Sequence, residues 1–111
     1  MIKKLKNCPI KQMENFVDHT ILQNITYRSL LEGEKMSSSV TYFKKGSILP
    51  MHKHHREQIG YVLKGKLRIK YANEDKIIEP GDSYVLTANV DHEFEALKDS
   101  ETIDIFAPVK F

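Results

Sequence analysis

Apolar and polar residues alternate in short runs along most of this chain. The segment 67–71 is the clearest example, because Leu67, Ile69 and Tyr71 alternate there with two basic residues. A period of two is typical of a strand with one buried face. Polar or glycine-containing turns separate the runs. The pattern predicts about eight strands, over residues 25–31, 37–43, 58–63, 67–71, 76–79, 83–87, 92–97 and 102–106.

These strands predict an all-β protein. They recur every 8–12 residues or so, and no helical period is sustained after residue 24. Antiparallel strands with one apolar face must close on each other to cover that face, so we expect a sandwich or small barrel. The beginning of the chain is polar, and its residues 11–16 could form a short helical turn. We therefore predict an N-terminal arm (1–22) packed on a β-barrel domain (23–111).

Length, charge and cysteine content exclude several classes of protein. The 111 residues suffice for one domain, and 17 basic against 15 acidic residues do not favour a nucleic-acid partner. Cys8 is the only cysteine, which excludes an internal disulfide and an all-cysteine zinc site. The apolar runs are too short for a membrane span, and the basic start has no apolar segment behind it. We therefore expect a cytoplasmic protein without a membrane partner.

Four of the five histidines lie between positions 52 and 92. On an extended chain, residues two apart share a face, so His52, His54 and Gln58 should point one way and His55 and Glu57 the other. Neutral imidazoles that converge bind transition metals such as Zn, Ni, Cu, Fe, Co or Mn. A solvated basic loop is the alternative, and the regular spacing around the cluster favours the metal site.

That spacing resembles the two sequence motifs of the cupin family. Residues 46–65 fit the first motif, Gly-x5-His-x-His-x3,4-Glu-x6-Gly, with Gln58 where glutamate is usual. Gly81 and His92 fit the second motif, Gly-x5-Pro-x-Gly-x2-His-x3-Asn, in part. Its Pro, Gly and Asn positions are occupied by Thr87, Asn89 and Ala96. The resemblance covers about residues 35–107.

The resemblance implies a cupin-type antiparallel jelly-roll barrel that holds a divalent transition metal. It implies metal ligation by His52, His54 and His92, with Gln58 at the fourth position. A bulge that turns Glu57 inward instead is the alternative. A glutamine ligand leaves the metal's formal charge uncompensated, which should strengthen its Lewis acidity.

The last predicted strand carries a further candidate site. Asp104 and Phe106 share a face, and Asp104 is either in solvent on an edge strand or directed into the barrel as an acid or base. The Asp-x-Phe-x-Pro pattern resembles a cupin subgroup that linearises 4,5-unsaturated uronates to open-chain keto sugars. This resemblance implies that Asp104, Phe106 and Lys110 serve catalysis. Arginine is common at the last position, and lysine brings charge without a bidentate fork.

Three functions and one assembly state follow as hypotheses. The first is a metal-dependent enzyme that opens or isomerises the ring of a sugar acid or related small metabolite. The others are an iron-dependent dioxygenase and a non-catalytic barrel that binds a metal or small ligand. We also expect a homodimer, because the strands carry more apolar surface than one inner face can use. The residues concerned are Val40, Tyr42, Ile59, Tyr61 and Leu63.

Overall fold

The computed structural model describes residues 1–109, so the predicted site residue Lys110 lies outside the described part. Within it, strands dominate and the fold is all-β, as predicted. The strands are β1 (Lys11–Glu14), β2 (Ile21–Glu32), β3 (Ser37–Phe43), β4 (Ile48–His52), β5 (Glu57–Lys64), β6 (Leu67–Tyr71), β7 (Glu74–Ile78), β8 (Ser83–Leu86), β9 (His92–Ala96) and β10 (Ser100–Ala107).

The strands form two antiparallel sheets with the core between them. The six-stranded sheet has the order β1-β2-β3-β10-β5-β8, and the four-stranded sheet has the order β4-β9-β6-β7. Both sheets contribute alternate apolar residues to one cluster, as half-buried strands should. The buried cluster comprises Ile25, Phe43, Leu49, Leu67, Ile69, Leu86, Phe94 and Ala96. This arrangement is consistent with the jelly-roll barrel expected from the sequence.

Two segments differ from the sequence prediction. Residues 11–14 are a strand and not a helical turn, because they pair along the edge of β2, where Met13 packs against the core. Residues 48–52 form β4, which the sequence did not predict because Pro50 interrupts an irregular apolar pattern. The pairing of Leu49 with Phe94 in β9 buries Leu49 and forms this strand. In both cases tertiary pairing outweighs the local pattern.

The first ten residues lie over the outer face of the six-stranded sheet. A short 3-10 helix spans Leu5–Asn7, and the Arg28 guanidinium on β2 donates to the carbonyls of Leu5 and Cys8. Val40, opposite Arg28 on β3, is buried, so it does not belong to the exposed apolar surface expected from the sequence. No helix among residues 1–109 is long and apolar enough to cross a bilayer.

Candidate metal centre

Three of the predicted site residues meet between the two sheets. His52 ends β4 and lies opposite His92, the first residue of β9, while His54 follows in the connection to β5. One ring nitrogen of each histidine lies within 4.8 Å of the other two. First-row metals bind imidazole nitrogen at about 2.0–2.1 Å. The spacing therefore suits a single ion held by all three rings.

The protonation of these rings is set by the backbone. Each Nδ1 lies within hydrogen-bond distance of a backbone carbonyl, which can only accept, so Nδ1 carries the proton and Nε2 is left with a lone pair. The Nε2 atom of His92 is buried and has no hydrogen-bond partner. Metal-bound histidines are oriented by such bonds. The acceptors for His52, His54 and His92 are Pro50, Arg56 and Val90, at 2.7, 2.7 and 3.0 Å.

Burial keeps two of these rings neutral. It lowers the pKa of His92 from 6.5 to about 4, and it also lowers the pKa of His52, in both cases mainly because a charged ring would lose its hydration. The neighbouring histidines add to this effect by charge repulsion. Only neutral imidazole can ligate a metal, so both rings are ready to bind near neutral pH.

Gln58 faces this histidine cluster, whereas Glu57 is exposed to solvent. The Gln58 amide nitrogen donates to Asp104 Oδ2 at 2.6 Å, which leaves its carbonyl oxygen directed at His54 Nε2, 3.1 Å away. When the His54 ring is neutral, with its proton on Nδ1, two lone pairs face each other at this contact. A cation resolves this conflict by accepting both pairs. The donor set therefore fits a metal ion, and the inward parity predicted for Gln58 is observed.

Asp104 lies behind Gln58, in the interior. The residue is 2% exposed, and its carboxyl group accepts hydrogen bonds from Gln58, from the Tyr84 hydroxyl at 2.7 Å and from Thr102 Oγ1 at 2.7 Å. The alternative of an exposed edge position is therefore wrong. Burial raises the pKa of Asp104, while its three hydrogen bonds oppose that shift. This carboxylate fixes the orientation of the Gln58 amide.

A small cavity and a larger groove adjoin the histidine cluster. The cavity, of about 40 Å³, is bounded by the three histidines, Asp104 and Phe106 among others. Phe16, from the turn after β1, also lines it, and its ring stacks on His52 with 4.6 Å between ring centroids. The groove, of about 560 Å³, shares Phe16 and Phe106 with the cavity. These two aromatic rings therefore lie where the cavity meets the groove.

Three residues of this site were not predicted from the sequence, namely Thr102, Phe16 and Arg56. Tyr84, for which the sequence allowed either a pocket or a core position, lines the cavity. Thr102 has the same parity as Asp104, so the alternation of β10 contained the signal for it. Tyr84 is two residues before the buried Leu86 in β8, so the alternation of that strand also places it on the inner face. Phe16 and Arg56 have no such signal, because they belong to a turn and a loop whose positions depend on the strand pairing.

Comparison with known proteins identifies the family. The sequence model of the cupin domain matches residues 39–106, which contain the three histidines, Gln58 and Asp104. This chain belongs to the cupin family. A search of curated proteins gave no match to this cupin.

Solved structures show the same fold. KdgF from Halomonas sp. is 28% identical, with a TM-score of 0.75 over 78% of this chain and 82% of its own. An RmlC-like cupin from Shewanella frigidimarina is 20% identical, with a TM-score of 0.84 over 96% and 89%. A predicted oxalate decarboxylase from Thermotoga maritima is 18% identical, with a TM-score of 0.81 over 97% and 99%. At these last two identities, the likeness extends to the fold alone.

Two single substitutions should show whether Gln58 or Glu57 is the fourth ligand. Gln58→Glu is expected to retain or tighten metal binding, because it places a negative oxygen beside the three histidines. Glu57→Gln is the matched control and should leave affinity nearly unchanged, since Glu57 is exposed. Isothermal titration with Zn²⁺, Ni²⁺ or Mn²⁺ measures both effects. Loss of binding in Glu57→Gln alone would contradict the assignment.

Proposed function

We propose that this cupin binds a divalent transition metal through His52, His54 and His92, with Gln58 as the fourth ligand. The observation that carries the proposal is that one ring nitrogen of each of the three histidines lies within 4.8 Å of the other two, with the Gln58 amide oxygen 3.1 Å from His54 Nε2. The burial of the unpartnered Nε2 of His92 supports it further. Burying a polar atom is costly unless its lone pair has a hydrogen-bond partner or a bound metal.

We further propose that the metal serves the ring opening or isomerisation of a sugar acid. This substrate class is supported by the Asp-x-Phe-x-Pro pattern of residues 104–108, which resembles that of the uronate-linearising cupins, together with the 28% identity to KdgF. When bound, the ion would supply Lewis acidity toward a carbonyl or hydroxyl oxygen. The groove has a volume of about 560 Å³, within the range of about 300–1,000 Å³ typical of small-ligand sites.

The residues of the chain would divide the remaining work. Asp104 lines the cavity with a raised pKa and would take up or return a proton of the substrate. Tyr84 donates to Asp104 and would stabilise it as a carboxylate. Phe106 would form the apolar wall that orients the sugar ring. Lys110, the third residue that the family resemblance implies, lies outside the described residues.

Incubation with 4,5-unsaturated uronates tests this function. Metal-loaded protein should accelerate the loss of their ultraviolet absorbance over the spontaneous rate, and removal of the metal should abolish the acceleration. Absence of any acceleration with each of the six candidate metals would refute the enzymatic proposal. Oxygen consumption by iron-loaded protein would instead support a dioxygenase. A loaded protein without either activity would be the non-catalytic binding barrel.

We propose that the protein is a homodimer, formed through the outer face of β10, β5 and β8. Five apolar side chains there are between 42% and 53% exposed. They lie on strands that are paired directly, so they form a continuous patch. A two-fold related copy would cover it. The five are Ile59, Tyr61, Leu63, Val85 and Ile105.

Light scattering tests the dimer. The expected mass at micromolar protein is twice that of the 12.9 kDa chain. Tyr61→Glu, on this face, should shift the equilibrium toward the monomer because dimerisation would bury its charge. Ile77→Glu is the control, since Ile77 is similarly exposed on β7 of the other sheet. A mass near 13 kDa for the unmodified protein would refute the dimer.

A further inference from the structure

An arginine in the loop before β5 lies between the histidine cluster and the groove. The backbone carbonyl of Arg56 accepts the hydrogen bond that orients His54, at 2.7 Å. The guanidinium of the same residue lies over the Phe106 ring, 4.3 Å from its centroid. Phe106 in turn makes an edge contact with His54, at 6.1 Å between centroids. Arg56 therefore has a fixed position next to the metal centre and contributes to the wall of the groove.

The positive charge of Arg56 is not neutralised by the described part of the chain. Among residues 1–109, no carboxylate lies within 4.0 Å of its guanidinium, whereas Arg68 lies this close to both Asp75 and Glu95. Besides Arg56, the acidic, basic and histidine side chains that line the groove are Lys3, Lys11, Glu14, His19 and Glu32. The two lysines already donate elsewhere, Lys3 to the Leu30 carbonyl and Lys11 to Ser29 Oγ. Arg56 is thus the cation of the groove that is both half-buried and without an ion pair among those residues.

We propose that Arg56 binds the carboxylate of the substrate and so makes this cupin selective for sugar acids over neutral sugars. This inference rests on the proposed function, because it assigns the carboxylate-recognition residue for that substrate class. A guanidinium offers two parallel N–H donors that match the two oxygens of a carboxylate. Stacking on Phe106 restricts the side chain, so little of its freedom remains to be lost on binding.

The position of Arg56 also determines how the sugar would lie. The ring would span from the histidine cluster toward the groove, with the carboxylate at Arg56 and another oxygen at the metal centre. Phe106 lies between these two points and would contact the apolar face of the ring. Recognition through Arg56 does not require a bidentate group at Lys110, where the chain has an ammonium instead of a guanidinium.

Two sugars that differ only in the carboxylate test the assignment. Metal-loaded protein should bind galacturonate more tightly than galactose, with affinities measured by isothermal titration. Arg56→Gln should weaken galacturonate binding about 10- to 100-fold, the factor that corresponds to one charge-assisted interaction, and leave galactose binding unchanged. The galacturonate affinity of Arg56→Lys should fall between those of the unmodified protein and Arg56→Gln, since lysine keeps the charge but lacks the two parallel N–H donors. Lys53→Gln is the matched control, because Lys53 is an exposed cation in the same loop.

The outcomes separate this inference from the function on which it rests. If Arg56→Gln keeps its preference for galacturonate, the Arg56 assignment is overturned, while turnover of unsaturated uronates would still support the proposed function. If the unmodified protein has equal affinity for both sugars, or none for either, the Arg56 assignment is overturned as well. Bound metal and the midpoint of thermal unfolding should match the unmodified protein in every variant. A loss of metal in Arg56→Gln alone would mean that the residue acts only through His54, which also overturns the assignment.

Discussion

Replacing His92 with alanine is expected to weaken the binding of divalent metal by at least about 100-fold. Loss of a residue that merely orients a ligand costs about 10- to 100-fold in affinity, and His92 would be a ligand itself. Its Nε2 has no hydrogen-bond partner, so the substitution removes no other bond of that atom. Isothermal titration, or competition with a chromogenic chelator if binding is very tight, measures the change.

The matched control for this experiment is His55→Ala. His55 adjoins His54 in sequence but is exposed, so the substitution removes an imidazole that lies outside the cluster. Its metal affinity should stay within about twofold of the unmodified protein. If His55→Ala lost the metal, the strand leading into β5 would be shifted by one residue, because such a shift exchanges the two faces. Unchanged metal affinity in His92→Ala would contradict ligation by His92.

Gly60→Ala is expected to destabilise the fold by about 1–3 kcal/mol, the usual cost of overpacking. Gly60 pairs with Tyr84 on one side and with Asp104 on the other. The Tyr84 ring lies across the glycine, and a Cβ atom there would overlap it. The ring would have to move, and its hydrogen bond to Asp104 would be lost or weakened. Urea unfolding of the metal-free protein measures the change.

Two further variants show whether the ring is the cause. Gly33→Ala is the control, because a Cβ at Gly33 would make only an ordinary contact with the Met36 carbonyl, so little change is expected. The double variant Gly60→Ala/Tyr84→Ala should be less destabilised than the sum of its single changes, since the overlap no longer exists. Additive effects would show that Gly60 is required for another reason.

The site residues that lie on regular strands were accessible from the sequence. Alternation placed Gln58 inside and Glu57 outside, and it put Asp104 and Phe106 on one face of β10. The spacing of His52 and His54 indicated the metal site because side chains two residues apart on an extended chain point to the same face. The family resemblance supplied the distant His92, since periodicity alone does not say which strands are neighbours.

Features that depend on long-range pairing were not accessible. Residues 11–14 became a strand because β2 offers a free edge, and the polar sequence of the segment contains no sign of this. The burial of Asp104 could not be decided because its three partners come from β5, from β8 and from β10 itself. Arg56 was overlooked because nothing near it in the chain indicates that it would stack on a residue 50 positions later.

The aromatic ring that stacks on His52 comes from outside the segment that defines the family. Phe16 precedes the matched residues 39–106, and Met13 in β1 also lines the cavity. The proposed metal ligands and the aromatic ring that covers one of them are therefore encoded in separate parts of the chain. Mutations in the turn after β1 can alter which molecules enter without touching any proposed ligand or any residue of the motifs. Relatives with the same motifs could thus diverge in substrate while their metal chemistry stays the same.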